Sequence, residues 1–482
     1  MIRVTILKSR KIFFPQKVSS NYFELIDLVE HGNYNAAKMK IRDWDSISNV
    51  DDICKQLINA EISIFEGSYE SASNALMDAE YLNSELDDPV VTLIITVQLI
   101  TLDIQSSNHG HGQKLIDTIK PDFFEKLYKS KVWDTDYINF AISRFYHTCG
   151  NFFQSVGNFK LAIRNYQDAI EIRKEVNDKK GLASSLNKLS IVYKNQGDLK
   201  MSYGLCMEAL ALEEEIGNKQ ALAVLYYTLG QLEREFGKYK ECIEYLQKSL
   251  AALKIISNPY LLALLNFELF FSYLQLNKDT ALNYKIELER ISIDYPHLKS
   301  IQCFYLMANA LYLKNSTRVK EKFQSQDFLR GLIEEDTLNY QIKILVMKNL
   351  MDLLIDELKL SNSNDILTEL MSLLVKMREL AHNSQSYPLT VDLLLLESKF
   401  RLNKGDVEIA DLKITEAIQI SKERELIDSL EKAMLVKTEF EDSLKNYKEI
   451  TTKGASILNR VMDSDIDSYL SSIPNMIHLF EA

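Results

Sequence analysis

The chain has 482 residues, 46% of them hydrophobic and 26% charged, and a formal net charge of −12 from 56 Lys and Arg against 68 Asp and Glu. With only 15 Gly and 7 Pro it lacks the turn residues of an all-β protein, and its apolar content excludes a disordered chain. The acid excess argues against a general binder of phosphate backbones.

In chain order, the first twenty residues form a basic arm. Arg3, Lys8, Arg10, Lys11 and Lys17 precede the first acid, Glu24, and Ile12-Phe13-Phe14 before Pro15 is too short for a secretory signal core. An acidic or anionic-lipid surface is the alternative role for this arm. Residues 21–135 read as degenerate helical hairpins. His31-Gly32-Asn33-Tyr34 is followed by Ala37, and Glu66-Gly67-Ser68-Tyr69 by Ala72. The longest uncharged apolar stretch, between Asp88 and Asp103, falls short of the ~20 residues that span a bilayer. His109-Gly110-His111 reads as part of a polar loop near 106–112 rather than a metal site. The five cysteines, Cys54, Cys149, Cys206, Cys242 and Cys303, never fall in a Cys-x-x-Cys spacing. They read as reduced packing thiols of a cytoplasmic protein.

Residues 136–256 repeat with a period of 40. Gly157, Gly197 and Gly237 each sit in a similar phrase: Val-Gly-Asn-Phe, Gln-Gly-Asp-Leu and Phe-Gly-Lys-Tyr. Five residues on come Ala162, Ser202 and Cys242; seven further come Ala169, Ala209 and Ser249; seven before each Gly come Gly150, Ser190 and Gly230. Apolar residues recur at helical spacing on both sides of each Gly, as in Leu186, Leu189, Val192 and Tyr193, then Leu199, Tyr203, Cys206 and Leu210. The glycine therefore ends one helix and admits the left-handed turn into the next. The small residues mark where the two helices cross. One such hairpin cannot bury its own apolar faces, so hairpins must stack.

Residues 257–464 continue with degenerate hairpins. Leu276-Asn277-Lys278-Asp279 stands where a Gly turn is expected, and Lys404-Gly405-Asp406-Val407 is followed by Ala410 and Ala417. Pro89, Pro259, Pro296 and Pro388 are each expected to open a helix, where the missing N–H costs nothing. Residues 465–482 place Ile466, Tyr469, Leu470, Ile473, Ile477 and Phe480 at helical spacing. They are expected to cap the array, with a break at Pro474, and are a candidate surface for self-association.

On these residues the sequence resembles the tetratricopeptide repeat family. The match runs through Gly150, Phe153, Gly157, Phe159, Ala162, Tyr166 and Ala169, and recurs in the next two units. The 40-residue period and the Glu215-Ile216-Gly217-Asn218-Lys219-Gln220-Ala221 linker resemble the extended repeats of kinesin light chain, Pins-type scaffolds and bacterial peptide sensors. The resemblance implies an all-α, right-handed α-α superhelical solenoid whose first helices line a concave side.

Carried over, that family geometry turns Arg144, His147, Asn151, Gln154, Asn187, Lys188, Lys194, Asn195, Tyr227, Gln231 and Arg234 toward the groove, with an apolar pocket at Phe267 and Phe271. Cations outnumber Glu235 along these positions although the chain is acidic. Asn and Gln bond both N–H and C=O of a peptide backbone, and Arg or Lys pairs with carboxylates. The expected function is thus a non-enzymatic scaffold that binds a protein or an acidic, extended peptide segment. A peptide- or protein-responsive signalling regulator acting through protein contacts is the alternative, since some twenty residues before the first hairpin leave no room for a DNA-binding domain. A helical-repeat RNA binder is the minor alternative, disfavoured by charge and by the irregular inward residues. No nucleotide-binding glycine loop, Gly-x-Ser-x-Gly or His-Glu-x-x-His is present, so no catalytic residue, cofactor or metal is expected.

Overall fold

The computed structural model describes residues 20–30, 33–46, 48–106, 108–130, 132–253, 258–335, 340–361, 363–403 and 406–452. The basic arm at 1–19, the 465–482 segment, Gly32 and Gly405 lie outside the described residues. Among the described residues there are 22 helices and no strand. Twenty of them pair as ten hairpins, and the other two are a short inserted helix and a final helix. The first three hairpins are α1 (Ser20–Glu30) with α2 (Tyr34–Arg42), α3 (Asn49–Phe65) with α4 (Tyr69–Leu86), and α5 (Pro89–Gln105) with α6 (His109–Thr118). A short inserted helix, α7 (Pro121–Leu127), precedes α8 (Thr135–Ser155) with α9 (Phe159–Glu175). Then come α10 (Lys179–Gln196) with α11 (Leu199–Ile216), α12 (Lys219–Glu235) with α13 (Tyr239–Leu253), and α14 (Pro259–Leu276) with α15 (Lys278–Asp294). The last three are α16 (Lys299–Lys314) with α17 (Val319–Ile333), α18 (Tyr340–Ser361) with α19 (Asn364–Ser384), and α20 (Tyr387–Asn403) with α21 (Val407–Glu423), followed by α22 (Ile427–Thr452).

The chain divides into two compact units. Unit 1 comprises Met1–Val192, Ser202–Thr228 and Gln247–Asn258; unit 2 comprises Tyr193–Met201, Leu229–Leu246 and Pro259–Ala482. Within unit 1 the first helices α1, α3, α5 and α8 pack in series, and α2, α4 and α6 each touch the first helix before and after. Unit 2 repeats the pattern with α14, α16, α18, α20 and α22, and with α15, α17, α19 and α21. No helix among the described residues is long and apolar enough to cross a membrane. The apolar α5 instead buries Val90, Val91, Leu93, Ile95, Val97 and Ile100, as a helix that is hydrophobic all round must.

The turns are built by one repeated device. Gly67, Gly157, Gly197 and Gly237 have φ of 75°, 77°, 95° and 74°. The amide after each glycine donates to the carbonyl five residues before it: Ser68 to Ser63 at 2.9 Å, Asn158 to Phe153 at 2.8 Å, Asp198 to Tyr193 at 2.9 Å and Lys238 to Glu233 at 2.8 Å. This left-handed termination satisfies the last carbonyls of the first helix. Asn158 and Asp198 then cap the next helix through Oδ1, accepting from Leu161 N at 3.2 Å and Met201 N at 2.9 Å. Where the glycine is replaced, at Asn277, the Asn Oδ1 accepts from Thr280 N at 3.0 Å, so an extended cap residue does the work of the turn. Two local expectations fail. Pro296 lies in the connection three residues ahead of α16 rather than opening it, and His109–Gly112, read as loop, forms the start of α6.

The small residues sit at the crossings. Ala162, Ala169, Ser190, Ser202, Ala209 and Ser249 are 0% exposed and Cys242 is 1%. Ser202 Oγ donates to the Ser190 carbonyl at 2.7 Å, and Ser249 Oγ to the Ala223 carbonyl at 2.6 Å. At Gly150 an added Cβ would lie 2.6 Å from the Tyr166 ring. Such overpacking costs about 1–3 kcal/mol, so Gly150→Ala lowers the free energy of unfolding by an amount in that range and, at unchanged slope, lowers the urea midpoint. Gly204→Ala, inside α11 with nothing within 4 Å of the new Cβ, gains helix propensity of about 0.5–1 kcal/mol and raises it.

Candidate functional site

The first helices carry the polar residues singled out above, and a 40-residue step aligns them in rows: His147, Asn187 and Tyr227; Gln154, Lys194 and Arg234. They divide between the two units, as two separate clusters.

In unit 1, α8 and α10 contribute Arg144, His147, Asn151, Gln154, Asn187 and Lys188, and α12 contributes Tyr227. Arg144 reaches back to α3, its Nη2 3.3 Å from Glu61 Oε1. His147 Nδ1 lies 2.9 Å from Ser185 Oγ and 3.3 Å from Arg173 Nη1. Arginine only donates, so Nδ1 is an acceptor and the proton of the neutral ring is on Nε2. Burial, then the charges of Arg173, Lys188 and Arg144, hold the imidazole pKa well below its usual range. Arg173 itself comes from α9. It is 4% exposed and also donates to Ser185 Oγ at 2.6 Å and to the Gly181 carbonyl at 2.5 Å. Asn151 Oδ1 and Gln154 Oε1 both face the Tyr166 hydroxyl, at 2.8 and 2.7 Å. Asn187 is 6% exposed, and its Oδ1 is buried without a hydrogen-bond partner among the described residues. Lys188 is half-buried, and desolvation alone lowers its pKa. No carboxylate pairs with it among the described residues. Tyr227 is 9% exposed.

In unit 2 the cations are already engaged. Lys194, 6% exposed, donates through Nζ to Gln231 Oε1. Gln231 Nε2 donates to Glu268 Oε1 at 2.6 Å. Arg234 Nη1 bonds Glu268 Oε2, and its Nη2 lies 3.3 Å from Glu235 Oε1. The Arg234 guanidinium also stands 5.2 Å over the Phe271 ring. Burial of Glu235 would raise its pKa, but Arg234, Lys432 and Lys194 together bring it below the usual value. The Asn195 carbonyl accepts from Ser386 Oγ. Phe267 does not line an open pocket. It is 2% exposed and its ring stacks on Phe304 at 5.7 Å, inside the core of α14, α16 and α18. Phe271 packs on that core from its edge.

Sequence reasoning missed the residues that complete these clusters. Arg173 falls on the buried stripe Phe159, Ala162, Tyr166, Ala169 of α9, and a cation on an apolar stripe must bring its own acceptors. Glu268 is the only charged residue of α14. Both signals are readable. Near α6, His111 Nδ1 pairs with Asp103 Oδ2 at 2.7 Å, and no group of His, Cys, Asp and Glu suited to a metal ion occurs among the described residues.

Residues 181–255 match the tetratricopeptide repeat model. No curated protein matches the sequence. Similar solved structures include the apo form of the quorum sensor NprR from B. thuringiensis, at 14% identity over 73% of this chain and 97% of that one, with a TM-score of 0.48. Aspartyl phosphate phosphatase F from Bacillus subtilis is similar at 13% identity over 76% of this chain and 96% of that one, TM-score 0.44. The human IFIT1 dimer with m7Gppp-AAAA is similar at 17% identity over 97% and 96%, TM-score 0.43.

The histidine gives a pH test. Folded His147 refuses a proton that the unfolded chain, at the usual pKa of 6.5, accepts. Its contribution is therefore full above pH 6.5 and is lost as the pH falls toward the depressed folded value. The slope is at most about 1.4 kcal/mol per pH unit. Thermal unfolding between pH 7 and 5 should show His147→Gln with a flatter pH dependence than the parent chain.

Proposed function

We propose that this tetratricopeptide-repeat chain is a non-catalytic scaffold that holds an extended, acidic segment of another protein against the first-helix face of unit 1. The observation that carries this reading is the buried Asn187 Oδ1 with no hydrogen-bond partner among the described residues. A buried acceptor left unmade costs about 1–3 kcal/mol, and rotation of the Asn187 carboxamide out to accept a backbone N–H of a visiting chain recovers that loss. Lys188, half-desolvated and with no carboxylate paired to it among the described residues, supplies the charge complement for an acidic side chain or a C-terminal carboxylate. Neutral His147 keeps the neighbouring row uncharged, so the preference for acid rests on Lys188 rather than on a diffuse positive field. The unit 2 cations, by contrast, are matched by Glu268 and Glu235 and offer less to an incoming carboxylate.

Fluorescence anisotropy with labelled acidic, neutral and basic hexapeptides tests the reading. Acidic peptides are expected to bind, and Asn187→Leu and Lys188→Gln each to weaken them by about tenfold, the worth of one hydrogen bond or charge contact. Ser184→Ala, at an exposed neighbour on the same helix, leaves binding unchanged. Equal binding of all three classes, or variants that bind like the parent, would refute it.

A further inference from the structure

We propose that His147 is a fixed, uncharged hydrogen-bond donor of the unit 1 face, and that Arg173 and Ser185 are the positioning residues that fix it. The contact rests on the function proposed above: beside Asn187 and Lys188, a carbonyl oxygen of the bound segment accepts from His147 Nε2–H.

Proton counting sets the ring. Arg173 Nη1 carries two hydrogens, and its two nearest acceptors are the Gly181 carbonyl at 2.5 Å and Ser185 Oγ at 2.6 Å. His147 Nδ1 stands further off, at 3.3 Å. Ser185 Oγ thus accepts from the arginine, and its single proton goes to Nδ1 at 2.9 Å. The lone pair of Nδ1 is then used, and the ring carries its own proton on Nε2. Moving that proton to Nδ1 would turn an N–H toward the guanidinium.

The clamp is sealed on its inner side. Arg173 is 4% exposed, Asp178 lies 3.8 Å from its Nε, and a Cβ added at Gly181 would stand 2.7 Å from that nitrogen. The imidazole itself is only half-buried, and its Nε2 makes no hydrogen bond among the described residues. One 40-residue step on, the positions of His147, Arg173 and Ser185 hold Asn187, Glu213 and Leu225, so the stacking of hairpins does not require the set. The charges acting on the ring are Arg173 of α9, Lys188 of α10 and Arg144 of its own helix, and the Tyr166 ring stands 5.6 Å away. All three cations oppose a further positive charge, so the donor keeps its neutral form in mild acid, where an ordinary histidine would not.

NMR of the 15N-labelled full chain reads the ring directly. The His147 signals are identified among the seven histidines by their loss in His147→Gln. Without peptide, the expected pattern is one tautomer, protonated at Nε2 and unchanged from pH 7 to 5.5. A tautomer mixture, a proton on Nδ1 or a titration near pH 6.5 overturns the clamp. Adding an acidic hexapeptide should shift Nε2 and leave Nδ1 in place. Peptide that binds without shifting Nε2 overturns the contact and leaves the proposed function standing, whereas failure of acidic peptides to bind at all overturns both. His147→Phe, which keeps a ring and loses the donor, should weaken acidic peptides about tenfold at every pH. Arg173→Met frees Nδ1, so its binding should be weaker than that of the parent at pH 7 and recover toward pH 5.5 as the ring takes a proton; the peptide carboxylates stay ionised over that range. An equal pH response of the two variants overturns the part given to Arg173, and if Arg173→Met does not fold, the spectra of the parent chain decide alone.

Discussion

Two α-helices approach to 8–10 Å only if the side chains at their crossing are small. In the central hairpins that condition is met by Gly150, Ala162 and Ala169, by Ser190, Ser202 and Ala209, and by Gly230, Cys242 and Ser249. Because the crossing recurs at a fixed period, each first helix lies in the same register against the next. That register is why hydrogen bonds between neighbouring first helices span nearly constant intervals: 38 residues from His147 to Ser185, and 37 from Lys194 to Gln231 and from Gln231 to Glu268. The polar face of the first helices is therefore a consequence of how closely their partners pack behind them.

A packed face has a second requirement. Charges taken out of water are tolerated only when matched, and the described residues show the matching helix by helix. Lys314 lies between Asn349 and Asp352, at 2.8 and 2.9 Å, and Asp352 also meets Lys399 at 3.3 Å. Lys348 bonds Asp392, and Arg330 makes a two-pronged contact with Glu369 at 2.8 and 3.0 Å. Part of the chain's carboxylate content thus works as counter-charge between neighbouring helices, first helix to first helix at Asp352 and Asp392 and second to second at Glu369. Against that background Lys188 stands out, because no carboxylate pairs with it among the described residues and desolvation lowers its pKa.

The central hairpins were legible because each signal is local. A glycine, a small residue five positions on and another seven beyond lie within one unit, and the left-handed φ values of Gly157, Gly197 and Gly237 follow from the phrases around them. The ends of the hairpin at Asn277 were harder, since an Asn cap replaces the expected glycine. The chemistry of the first-helix face was only half readable. Lys194 and Arg234 look unpartnered in sequence because Gln231, which Lys194 bonds, and Glu268, which Arg234 bonds, each lie about one repeat further on, and the Glu61 that meets Arg144 lies 83 residues earlier. Phe267 looks like a groove residue by spacing, yet the neighbouring Phe304 draws it into the core. The contact of Asn195 with Ser386 has no local signature at all, because nothing near either residue encodes a partner 191 positions away.

The phenol of Tyr166 has one further implication. Its oxygen faces the amides of both Asn151 and Gln154, but a hydroxyl carries a single proton and can donate to one carbonyl at a time. The second amide must rotate and offer its –NH2 to the phenolic oxygen. One carboxamide therefore turns its oxygen toward the phenol and the other its –NH2, so the two side chains present opposite polarity at their outer ends.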